Sequence, residues 1–172
     1  SSTAVLAGNG TVTATGGVID HDGLISPGSS PGELVLDAST VNLGVNAEVF
    51  AELGGTTQGV DYDLLDVLGA FTLDGGLELS LLGGFLPSPS DLFEIVTADD
   101  LIGEFSNVAN GGFLLSGDGL AQFTVNYGPG SAFNEDSVVL SDFVDLSIPE
   151  PAAAVLAALS VLPMVGRRQR VV

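Results

Sequence analysis

The chain has 172 residues, 22 of them acidic and three basic, for a formal net charge of −19 at pH 7. The bases Arg167, Arg168 and Arg170 all fall in the last six positions, so residues 1–166 contain no lysine or arginine. Such a body cannot neutralise phosphates, which excludes nucleic acid and disfavours anionic lipid headgroups as its partners. Cysteine is absent, which excludes a disulfide framework and thiolate chemistry. Abundant glycine (24 residues), no tryptophan, and short Val-, Leu- and Thr-bearing runs predict an all-β protein with many tight turns.

Three short runs open the chain: Thr11–Ala14, Val18–Asp20 and Leu24–Ser26, separated by Gly16-Gly17 and Gly23. Val12, Val18 and Leu24 recur at a six-residue spacing, which suits a solenoid of short parallel strands with glycines at the corners. Ser26-Pro27-Gly28-Ser29-Ser30-Pro31-Gly32 reads as two Pro-Gly turns in succession. Longer strands follow. Leu34–Leu36 is one, and Glu48–Leu53 alternates with its acids on one face. The loop Gly54–Gly59 leads to period-2 patterns at Leu65/Val67, Phe71/Leu73 and Leu77/Leu79/Leu81, broken at Gly69 and Gly75-Gly76. Leu92–Val96, Gln122–Tyr127 and Ser137–Leu140 are the later strands, and no segment before residue 150 has a helical period.

The order of these signals resembles the terminal region of autotransporter-like passenger proteins. The resemblance rests on the Pro-Gly-Ser-Ser-Pro-Gly turn, Glu52-Leu53-Gly54-Gly55, Tyr62-Asp63-Leu64-Leu65, Val67-Leu68-Gly69 and Leu73-Asp74-Gly75-Gly76-Leu77. Gly84-Phe85-Leu86-Pro87, Phe93-Glu94-Ile95 and Gly103-Glu104-Phe105 continue it. It implies a right-handed parallel β-helix end over residues 1–144, with later strands capping it; a β-sandwich is the alternative. A chain that starts at Ser1 without an initiator methionine or signal peptide is expected to be the C-terminal piece of a longer precursor.

Few constellations carry chemistry. Asp20-His21-Asp22 holds the only histidine; with Ser26 or Ser29 it could form a base–nucleophile pair, but a solvent-facing corner explains it as well. Asp61, Asp63 and Asp66 are the densest acidic group and the candidate calcium ligands, with Asp118 a lone further one. Edge protection by like charges accounts for dispersed carboxylates equally. Paired carboxylates could serve glycoside hydrolysis, but the acids are evenly spread and no base is available for lyase chemistry. No cofactor is expected.

Beyond a linker at residues 145–151 the chain changes character. Pro149-Glu150-Pro151 precedes an uncharged apolar stretch, Ala152–Gly166, apolar all round and so unlike an amphipathic surface helix. The arginines of residues 167–172 would hold that end in the cytoplasm. This order resembles the PEP-CTERM sorting signal of exported bacterial proteins, with Ile148 and Gln169 as small departures from the family pattern. The resemblance implies a membrane-spanning helix at 152–166 and an exosortase-type membrane enzyme that grips the extended Pro149-Glu150-Pro151 segment. It also implies a protein held at the inner membrane, then displayed on the surface or in the extracellular matrix of a bacterium with an outer membrane. The expected role is structural or adhesive, not enzymatic, with exopolysaccharide a candidate partner. The alternatives are a fragment of a carbohydrate-active β-helix enzyme and a calcium-stabilised solenoid.

Overall fold

The computed structural model describes residues 4–147, and these are all-β, with no helix among them. The proposed helix at 152–166, the Pro149-Glu150-Pro151 motif and the arginines lie outside the described residues. The chain winds as a β-solenoid of about three turns. One sheet stacks β1 (Val5–Gly8), β3 (Leu24–Pro27), β5 (Glu48–Leu53) and β7 (Gly76–Leu81) in parallel. The other stacks β2 (Gly10–His21), β4 (Glu33–Leu43), β6 (Leu64–Leu73) and β8 (Phe93–Gly103), also in parallel. Antiparallel β11 (Ser137–Asp145), β10 (Ala121–Asn126) and β9 (Gly112–Leu115) then extend the second sheet beyond β8.

The register turns inward positions into ladders. Val12 pairs with Leu36, Leu36 with Val67 and Val67 with Ala98; Ile19, Val41, Phe71 and Leu101 form a second series. Leu36, Val41, Val67 and Phe71 are fully buried, each contributing on the order of 2 kcal/mol of hydrophobic stabilisation. At the last turn Phe93 meets Tyr62 edge-on at 5.2 Å and Phe123 at 6.1 Å, and Phe123 meets Phe143 at 5.3 Å. These rings fill the space where a further coil would otherwise place its aliphatic residues.

Two strand boundaries differ from the sequence reading. Thr11–Ala14 and Val18–Asp20 belong to the one strand β2, and only Leu24 starts a new one, so the six-residue spacing is not the coil repeat. Val18 in fact faces solvent, 57 % exposed. The interruptions at Gly16-Gly17 and Gly69 are register irregularities within long strands, stacked coil upon coil: Ala14/Val18 over Asp37/Thr40 over Val67/Ala70. A bulge bends a strand without ending it, so a glycine there reads falsely as a boundary.

At the tight corner before β7, Gly75 has φ +65°, and a Cβ there would strike the Ala47 carbonyl, which also accepts from Gly76 N–H at 2.9 Å. Gly75→Ala is therefore expected to lower unfolding stability by roughly 2–4 kcal/mol in urea titration, from positive-φ strain plus the clash. Gly83→Ala, at φ +59° with open space around it, is expected to cost only about 1 kcal/mol.

The outer edge of β7 is covered by side chain and loop. Asn107 Oδ1 accepts from Leu77 N–H at 2.9 Å and its Nδ2 donates to Leu77 O at 2.8 Å, so the amide acts as a peptide unit of a missing strand. Gly117 N–H adds a bond to Leu79 O at 2.8 Å. Asn107→Ala is expected to cost about 1–2 kcal/mol. The Leu77 amide should then exchange with deuterium faster, while the central β6 amides keep their protection.

Candidate functional site

The coils meet at two kinds of corner. One is tight throughout: Asp22-Gly23, Gly44–Ala47 and Asp74-Gly75 join the strands there. The other lengthens along the solenoid, from Asn9 to Gly28–Gly32, Gly54–Asp63 and Leu82–Leu92. The acids singled out in the sequence divide between these corners and the strands.

Asp63 is fully buried at the lengthening corner. Its Oδ1 accepts from Gly32 N–H at 2.8 Å and its Oδ2 from Glu52 N–H at 2.9 Å, tying one coil's Pro-Gly turn to the end of the next coil's strand. Asp61 caps its own loop by accepting from Thr57 N–H at 3.2 Å. Asp66 lies on β6 and accepts from Thr97 Oγ1 at 2.7 Å on the adjacent β8. The three are thus not gathered into one ligand sphere, and among the described residues no group of three or more Asp, Glu or His side chains could hold a metal ion. Alternation along an extended chain explains this, because Asp63 and Asp66 point to opposite sides of the sheet.

At the tight corner Asp20 accepts from Asn42 Nδ2 at 2.8 Å, and Asp22 accepts from Asn46 N–H and Nδ2, both at 2.9 Å. The Asn46 bonds hold the Asp22 carboxyl below its ordinary pKa. His21 Nε2 lies 3.1 Å from Leu24 O, within its own turn. Among the described residues no hydrogen bond joins His21 to Ser26 or Ser29; Ser29 Oγ accepts instead from Asn9 Nδ2 at 3.3 Å. The tripeptide fastens neighbouring coils, and a base–nucleophile pair is not assembled.

Two clefts flank the lengthening corner. One of about 350 Å3 lies between Pro31, Val60, Asp61 and the Leu82–Phe85 turn. Asp61 is the one titratable group in its lining, so the carboxylate pair of glycoside hydrolysis does not converge there. The second, about 320 Å3, sets Leu81, Phe85, Leu86 and Leu120 beside Asp118 and Asp145. Ser116 Oγ and Leu120 N–H lower the pKa of Asp118, and Ser147 lowers that of Asp145, so both carboxyls favour the ionised form. A general acid for a leaving oxygen needs the opposite shift. Sequence reasoning missed this pairing, because Asp118 and Asp145 are brought together only by the β9–β11 fold-back.

Comparison with protein-family models, with curated proteins and with solved structures returned no match.

Burial raises the Asp63 pKa to about 6, against the opposing pull of the Gly32 and Glu52 N–H groups. A carboxyl raised above its unfolded value stabilises the fold fully below about pH 3.8 and loses that contribution as pH rises through about 6. The stability advantage of the wild type over Asp63→Asn is therefore expected to be larger at pH 4.5 than at pH 7, measured by chemical denaturation. At both pH values Asp63→Asn should lie on the order of 1–3 kcal/mol lower, because the amide nitrogen cannot accept one of the two backbone bonds. The reverse pH trend would mean that the two N–H bonds outweigh burial.

Proposed function

We propose that this chain is an exported bacterial surface or extracellular-matrix protein, structural or adhesive in role, that is sorted through its C-terminal segment. The observation that carries the reading is the order of that segment: Pro149-Glu150-Pro151, then the uncharged Ala152–Gly166, then all three bases of the chain. An apolar stretch followed by arginines inserts with the arginines on the cytoplasmic side. Prolines on both sides of Glu150 keep the backbone extended for a processing enzyme of the exosortase type. In this reading the solenoid is a right-handed β-helix end closed by β9–β11, and its cation-free surface is the part displayed.

The coil stack supports a load-bearing role, since consecutive coils are joined both by backbone ladders and by Asp–Asn and Asp–backbone bonds. In a host that supplies the processing enzyme, the wild-type protein is expected to mature to a mass lacking the tail. Glu150→Ala is expected to retain the full mass and remain in the membrane fraction. Normal maturation of that variant, read by intact-protein mass spectrometry, would rule out recognition of the tripeptide.

A further inference from the structure

Among the described residues Asp63 is the one fully buried carboxyl, and backbone donors from two different coils take its two oxygens. Those donors are held unequally. Glu52 sits in β5, which β7 pairs along its whole length, and its C=O accepts from Asp63 N–H at 3.0 Å. Gly32 closes the turn Gly28–Gly32, in which Ser29, Ser30 and Pro31 make no backbone hydrogen bond among the described residues. Ser29 and Ser30 are exposed. Pro31, next to Gly32, also walls the cleft of about 350 Å3 that Val60, Asp61 and Leu82–Phe85 share. The carboxyl therefore fastens a wall of that cleft from behind.

An ionised carboxyl accepts at both oxygens, whereas a protonated one carries a hydrogen on one of them, which cannot point at an N–H. One of the two bonds must then open, and the turn is the side free to move. We propose that Asp63 is a proton-operated latch: ionised, it ties the Gly28–Gly32 turn down; protonated, it lets Gly32 and the Pro31 wall come away. The proton comes from solvent and settles on Oδ1, while Oδ2 keeps the Glu52 N–H. The charged groups on the elements around it are acids only: Glu52 on β5, Glu33 just after the turn and Asp61 in the same loop. The Leu82–Phe85 turn brings no titratable side chain. No lysine or arginine among the described residues opposes protonation, and burial, with Glu52 adding to it, pushes the pKa up to about 6. Neutralising a buried charge favours the fold as a whole, so the release is local and not an unfolding.

The amide resonances of the full chain are to be followed by NMR from about pH 8 to 4.5. The Gly32 amide proton is expected to move upfield with a midpoint of about 6, as a charge-assisted bond is lost. The Val60 and Phe85 amides beside the cleft should follow with the same midpoint, and the Glu52 amide, still bonded, should move far less. Asp61→Asn should keep this transition, and Asp63→Asn should hold Gly32 at its acid position throughout. A Gly32 amide that does not titrate over the range would overturn the proposal, as would a Glu52 amide that moves more than Gly32. So would a transition that survives in Asp63→Asn or disappears in Asp61→Asn. Should Asp63→Asn not fold, the wild-type and Asp61→Asn titrations decide by themselves.

Discussion

A strand cannot pair its own N–H and C=O groups internally, so each coil's are met chiefly by the coils on either side. That requirement forces consecutive coils to share direction, register and corner position. The tight corner shows how strictly it applies. Gly44 N–H reaches His21 O at 2.8 Å, Glu48 N–H reaches Gly23 O at 3.0 Å, and Ser106 N–H reaches Gly75 O at 2.6 Å. The linkers there stay short, Asp22-Gly23, Gly44–Ala47 and Asp74-Gly75. The opposite corner projects outward and lengthens freely, and it is there that both acid-bearing clefts form. Variation and concavity gather where backbone pairing does not constrain the chain.

The second constraint is the lack of cations. With no lysine or arginine among the described residues, carboxylates cannot be settled by ion pairs with them. They are met by amides, hydroxyls and backbone N–H groups: Asp22 by Asn46, Asp66 by Thr97, Glu94 by Ser137 at 2.6 Å, and Asp63 by Gly32 and Glu52. These neutral donors order the carboxylates without relieving the repulsion between distant ones. The fold therefore holds together through local bonds while its surface stays strongly anionic.

Much of the strand content was legible in the sequence. β5 lies at Glu48–Leu53 as its alternation predicts, and Leu77, Leu79 and Leu81 fall on β7. Errors came where glycine marks a bend inside a strand, at Gly16-Gly17 and Gly69, because local sequence does not distinguish a bulge from a turn. β9 (Gly112–Leu115) went unread, since an edge strand with Phe113 and Leu115 exposed has no clean alternation against polar residues. The acids were harder still. Asp61, Asp63 and Asp66 look alike in sequence, yet one caps a loop, one is buried between coils and one bridges two strands.

Composition and periodicity alone determined that the described body is all-β and anionic, because those properties follow from residue counts and side-chain alternation. The sorting proposal rests on the order of the last residues alone, since a linear signal would need no tertiary structure to be read. Only the folded chain decided which coil lies on which and which carboxylate serves as a staple. It alone decided that the last coil is sealed by Asn107 and β9–β11. Those outcomes depend on pairings between residues some thirty positions apart, such as Leu34 with Leu65 and Leu65 with Val96, and nothing in the local sequence records them.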